Sequence, residues 1–144
     1  MRISSRGRYG VRLLIDLAQH AIDSHVTLAS VAARQNVPVR YLEQVAIILR
    51  RTGFIRSVKG ASGGYSLARD PAEIVVGDVL RTLEGDMLII DPPLPGECET
   101  KYAATVRRVV FDKLNKKIAA IIDRETIATL IGADIANESY MYCI

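Results

Sequence analysis

The 144-residue sequence has no tryptophan, two phenylalanines, two histidines and two cysteines. With Cys98 and Cys143 alone, and no second Cys or His near either at ligand spacing, neither a disulfide framework nor a zinc site is expected, and both should be thiols. The two histidines, His20 and His25, lie upstream of Gly60-Ala61-Ser62-Gly63-Gly64, which spells the G-x-S-x-G string of hydrolase nucleophile elbows. That chemistry needs a strand before the serine, a helix after it and a downstream histidine as base, so no enzyme activity is expected. A nucleotide phosphate cradle fails similarly, because no Lys-Ser/Thr follows the glycines. No run of 18 apolar residues could span a membrane, and Met1-Arg2-Ile3-Ser4-Ser5 lacks the apolar stretch of a secretion signal. The expected location is the cytoplasm.

What is present is apolar material for one core, at 49% hydrophobic and 24% charged residues, in a chain of one domain's length. The formal net charge of +3 hides an asymmetry: residues 1–69 carry 11 Lys+Arg against 3 Asp+Glu, net +8, while residues 70–144 carry 8 against 13, net −5. A basic half joined to an acidic half implies a polyanion-binding module plus a unit with another job.

Apolar residues Val11, Leu14, Ile15, Ala18 and Ile22 recur at helical spacing and predict a first helix over residues 8–22. Thr27 can cap a second helix from Leu28 to about Gln35, burying Leu28, Val31 and Ala32 and ended by Asn36. Pro38 suits the start of a third, which reaches about Arg51 with Leu42, Val45 and Leu49 on one face and stops at Gly53. Two helices joined by a tight turn make a helix-turn-helix. Extended residues 54–58 and 65–67 then flank a glycine-rich tip, giving the hairpin wing of a winged helix. A short helix near Gly77–Glu84 completes a DNA-binding unit over residues 1–85.

Residues 86–99, rich in proline and acid, form a loop. Residues 100–144 hold a helix of about 35 Å, from Thr100 to Ile122, then a short helix near Thr126–Ile131 and a tail. The stripe Val106, Val109, Val110, Leu114, Ile118 and Ile121 has little in its own chain to cover it, so a second copy is expected there, with two-fold symmetry as the default. The fold class is mainly α: a winged helix-turn-helix with a small hairpin wing and a long dimerisation helix.

In the first turns of the third helix, Arg40, Tyr41, Glu43 and Gln44 lie off the apolar stripe, where a recognition helix meets base edges. Arg40 suits guanine or phosphate, Gln44 suits adenine, and Glu43 accepts only from a donor such as the cytosine amino group. The bland alternative is an ordinary solvated face. Arg2, Arg6, Arg8, Arg34, Arg50, Arg51, Arg56 and Lys59 form a pool for phosphate contacts. Lys59 at the wing tip, with Ser62 and Gly63 beside it, is the foremost wing contact, and Thr27 completes the candidate DNA-binding set.

Met1-Arg2-Ile3-Ser4-Ser5-Arg6-Gly7-Arg8-Tyr9-Gly10, Tyr41-Leu42-Glu43-Gln44, Gly53-Phe54-Ile55-Arg56-Ser57-Val58-Lys59-Gly60 and Gly63-Gly64-Tyr65-Ser66-Leu67, in this order, resemble the Rrf2 family of bacterial winged-helix regulators. The resemblance implies a homodimeric regulator of double-stranded DNA, on a palindromic operator, with Arg40, Tyr41, Glu43, Gln44 and Lys59 facing the duplex. Cluster-binding members carry three cysteines before the long helix. Here Cys98 stands alone, with Pro92 and Ala104 near the other positions, so no cofactor is expected and an iron–sulfur cluster is disfavoured. The tail Glu138-Ser139-Tyr140-Met141-Tyr142-Cys143-Ile144 is similar to that of cluster-free members that act with cysteine synthase. Tyr142, Cys143 and Ile144 are therefore candidate partner-binding residues, the terminal carboxylate being a directional anchor. The resulting expectation is a repressor of cysteine or sulfur metabolism. Its rivals are an iron–sulfur or redox regulator using Cys98, and a protein-interaction adaptor that no longer reads DNA.

Overall fold

In the computed structural model, which describes residues 1–142 and the side chains of residues 1–138, three helices open the chain: α1 (Ser5–His20), α2 (Leu28–Gln35) and α3 (Val39–Arg51). Each boundary has a local cause. The Ser4 hydroxyl accepts from the Arg6 amide at 3.1 Å, and the Thr27 hydroxyl accepts from the Ser30 amide at 3.2 Å. Asn36 ends α2 in the left-handed region at φ 52°, two residues before Pro38 launches α3. Strands β1 (Ile55–Val58) and β2 (Gly64–Leu67) pair antiparallel in the register Ile55↔Leu67 to Val58↔Gly64. Val26, just before α2, exchanges backbone bonds of 2.9 and 2.8 Å with Tyr65, which fastens the hairpin to the helix-turn-helix. The winged-helix architecture is thus the expected one.

A 3₁₀ turn (Pro71–Glu73) and α4 (Val76–Glu84) follow, and α4 lies along α1. Its terminal Glu84 accepts from the Ser4 hydroxyl and, at 2.8 Å, from the Gly7 amide. Burial pushes Glu84 up, but the Ser4 and Gly7 hydrogen bonds outweigh it and hold the carboxyl below its ordinary 4.5. A depressed carboxyl contributes stability that is present above the unfolded value and lost as pH falls through the folded one. Wild type should therefore lose stability below pH 4.5, and Glu84→Gln should flatten that acid limb. Denaturation midpoints between about pH 3 and 6 check this; an unchanged limb would contradict it.

The buried face of α1 differs from the expected one. Gly7, Gly10, Leu13, Leu14 and Leu17 are buried in α1, with Ala21 just beyond it, whereas Ile22 is 78% exposed past the helix end. The stripe 7, 10, 14, 17, 21 is as periodic as the expected one, but its glycines carry no hydrophobic signal. Their role is close approach: a Cβ on Gly10 would collide with Leu83 of α4.

Residues 86–99 cross without regular structure to α5 (Lys101–Val106), which runs through one widened turn (Arg107–Phe111) into α6 (Asp112–Arg124). Together they form the expected long helix. The chain then turns back on the first unit. Val76 donates to the Glu125 carbonyl at 2.9 Å, Ile127 donates to the Ile74 carbonyl at 3.0 Å, and Arg81 pairs with Asp123 at 2.8 Å. Ile127 is fully buried in the same core as Leu14, Val31, Leu49 and Ile74. The last helix, α7 (Ile127–Tyr142), corrects the short helix expected near residues 126–131: it continues through Gly132, which a helix tolerates at a modest cost. Among the described residues no helix is long and apolar enough to cross a membrane.

Candidate nucleic-acid interface

Leu42, Val45, Ala46 and Leu49 hold α3 against the core, and the geometry of a helix leaves Arg40, Tyr41, Glu43 and Gln44 exposed. The structure brings these four together on one surface. Tyr41 does not stand alone there: its ring lies 6.1 Å from that of Tyr9 on α1, with the Arg40 guanidinium 5.1 Å over Tyr41 and Arg12 5.7 Å over Tyr9. Cation and ring faces attract, so this row orders the start of α3. A crevice of about 450 Å³ beside it is lined by Ser4, Ser5, Arg6, Tyr9, Tyr41 and Gln44, so the first turn of α1 and the polar face of α3 share one surface.

The wing is built from backbone constraints. The Gly63 amide donates to the Gly60 carbonyl at 3.0 Å, and a Cβ on Gly63 would strike the backbone of Val58 and Lys59. The Gly63 amide is thus already engaged, while the Lys59 and Ser62 side chains are exposed at the tip. Arg69 ties the wing base to the end of α3 by donating to the carbonyls of Gly53 at 3.0 Å and Thr52 at 3.1 Å, with its guanidinium 4.6 Å over Phe54. Sequence reasoning gave no site role to Arg69 or Tyr9: an arginine just after a strand carries no motif, and Tyr9 lies in the string that resembles the family without showing that its ring would meet Tyr41.

The remaining candidates divide by availability. Arg2 is exposed ahead of α1, and Arg8 is exposed with one bond to the Ser5 hydroxyl at 3.2 Å. Arg50 reaches the Ser57 hydroxyl at 3.4 Å, near the junction of α3 and the wing, while the Thr27 hydroxyl serves as the α2 cap. Arg56 donates to the Ser66 hydroxyl at 3.2 Å. Arg34, counted above among the phosphate contacts, is instead engaged with the buried Asp16.

The loop before the long helix has different chemistry. Asn115 accepts from the Ile89 amide at 2.7 Å and donates to the Ile90 carbonyl at 3.2 Å, so one side chain pins the loop. Arg107 grips Glu99 through both of its terminal oxygens and reaches Asp112 at 3.3 Å. That guanidinium holds the Glu99 carboxyl below the usual range. Cys98 is exposed, and among the described residues no three His, Cys, Asp or Glu side chains are grouped to hold a metal ion. One cysteine, with its neighbouring carboxylate already paired, does not fit the donor set of a cluster. Tyr142 ends α7, while Cys143 and Ile144 lie outside the described residues.

Residues 3–133 match the Rrf2 family, whose description is an iron-dependent transcriptional regulator. The chain belongs to the Rrf2 family. The HTH-type transcriptional regulator CymR of Bacillus subtilis is 34% identical over 145 residues, spanning 100% of both chains. The HTH-type transcriptional regulator IscR of Serratia proteamaculans is 32% identical over 137 residues, covering 92% of this chain and 80% of that protein. The structure of CymR (YrzC), the global cysteine regulator of B. subtilis, matches with a TM-score of 0.80 at 30% identity, over 92% of this chain and 98% of that one. As an Rrf2 transcriptional regulator the chain is a DNA-binding protein.

Proposed function

We propose that this Rrf2 regulator is a homodimeric, sequence-specific repressor of cysteine or sulfur metabolism genes in the cytoplasm, working without a resident cluster and without enzymatic activity. The observation that carries the reading is the exposed polar face of α3, where an acceptor, the Glu43 carboxylate, stands beside the donors Arg40 and Gln44, with Lys59 on the adjoining wing. A carboxylate close to phosphates weakens general attraction, so its place there supports base selection. The dimer rests on the long helix, where Val106, Val109, Val110, Leu114 and Ile121 are each more than two-fifths exposed in the single chain. A second copy laid along that stripe would present two reading helices to half-sites about 34 Å apart.

The Asn115 and Arg107 bonds connect the loop to the long helix through protein groups alone. Similarity to CymR, the global cysteine regulator of B. subtilis, favours cysteine metabolism as the regulon, and the sequence resemblance of the tail supports Tyr142 to Ile144 as contacts for a cysteine synthase partner.

The test separates two kinds of contact. Lys59→Ala should weaken binding to every duplex and lower the slope of log K against log salt by about 0.9, the value for one phosphate. Glu43→Ala should instead cost roughly 1–3 kcal/mol of discrimination at one base position while leaving the slope alone. Equal effects of Glu43→Ala on all sequences would contradict its role in reading.

A further inference from the structure

A single buried carboxylate sits behind the reading helix. Asp16, on α1, is 1% exposed and receives the Arg34 guanidinium in a fork, Nε to Oδ2 at 3.0 Å and Nη2 to Oδ1 at 2.6 Å. The neighbouring Gln35 adds its Nε2 to Oδ2 at 3.1 Å. One turn earlier on α1, Arg12 donates to the Gln35 side-chain oxygen at 3.0 Å and to the Gln35 carbonyl. The last turn of α2 is therefore held from two successive turns of α1. Only Asn36, Val37 and Pro38 separate it from α3, with Asn36 left-handed and Val37 buried. A link that short and that constrained transmits the orientation of Arg34 and Gln35 to the turn that carries Arg40, Tyr41, Glu43 and Gln44.

We infer that Asp16 and Arg34 are positioning residues for base reading, setting the angle at which α3 leaves α2 and touching no nucleic acid themselves; this rests on the DNA-reading function proposed above. Buried ion pairs add little net stability compared with apolar packing, so retaining one here points to geometry as what it supplies. The fork is directional in a way that an apolar contact is not. The fork turns Nε and Nη2 of Arg34 inward to Asp16, which also accepts from Gln35 and lies 3.6 Å from His20 Nδ1, so withdrawing these two nitrogens to a phosphate would give up both bonds. The last turn of α2 thus contributes orientation, and the phosphate contacts come from elsewhere on the basic surface.

Three substitutions test the inference on the full-length protein, against a duplex selected by the wild-type protein from random sequence and against an unselected duplex, over a salt series. Folded fractions are matched by circular dichroism. Arg34→Lys keeps the charge and loses the fork; Asp16→Asn removes a negative charge and breaks the pair. For both, the ratio of selected to unselected affinity should fall by about tenfold, with the salt slope unchanged. Electrostatics alone predicts the opposite for Asp16→Asn, namely tighter binding to both duplexes, and that result would overturn the inference. So would a ratio unchanged in folded Arg34→Lys, which is what a purely structural pair gives, or a slope reduced by about 0.9 in Arg34→Gln, which is what a phosphate contact gives. If Asp16→Asn does not fold, Arg34→Lys decides. Wild type that shows no preference for any selected duplex would instead defeat DNA reading itself.

Discussion

Leu114→Asp should convert the regulator from a dimer to a 15.8 kDa monomer and reduce affinity for its operator roughly a thousandfold. Leu114 lies at the middle of the long helix, 42% exposed in the single chain, on the stripe with Val110 and Ile121. In a dimer that position is desolvated on both copies, and a two-fold axis places the new carboxylates in the same interface, where each loses water without gaining a partner. A monomer keeps one reading helix and one wing, so it retains attraction to phosphates but loses the second half-site. Sedimentation equilibrium reads the mass and a salt-controlled titration reads the affinity. An unchanged mass would place the dimer contact elsewhere, and unchanged affinity in a monomer would remove the palindromic mechanism.

The second large effect concerns a residue far from any DNA contact. Ile127→Ala should destabilise the protein by about 2–5 kcal/mol, with the winged helix and the long helix lost in one cooperative transition. Ile127 is fully buried among side chains of the DNA-binding unit, although it follows the long helix in sequence, and its backbone pairs with Ile74. Truncating it leaves a cavity where the two parts meet. Ile22→Ala, at a position 78% exposed, is the control and should shift stability by no more than about 0.5 kcal/mol. Urea unfolding followed by circular dichroism distinguishes the two. Separate transitions for the two parts would show that they do not share a core.

That shared core marks where sequence reasoning reached its limit. The helix-turn-helix was legible because Leu42, Val45 and Leu49 recur at helical spacing between two clear punctuators, Pro38 and Gly53, and the wing because its glycines bracket two extended runs. The buried face of α1 was not, since Gly7 and Gly10 pack closely against α4 without being hydrophobic. Arg34 shows a different limit. Composition counts every arginine as a possible phosphate contact, and only tertiary structure reveals that Asp16, 18 residues earlier in the chain, has taken two of the three guanidinium nitrogens of Arg34. Arg69 was invisible for the same reason, its bonds going to backbone carbonyls of Thr52 and Gly53. The extent of α7 was underestimated because its small residues dilute the helical period. Motif and charge pointed to a surface; what they could not show was which of its charges already have partners.

The most direct test of the central claim is to equilibrate the purified, iron-depleted protein with a library of random duplexes at fixed salt and sequence those it retains. A sequence-specific dimer that reads DNA without a cluster should enrich one palindrome, with half-sites centred about one helical turn apart. Retention of unrelated sequences in proportion to their abundance, or of a palindrome only after iron and sulfide are restored, would contradict it.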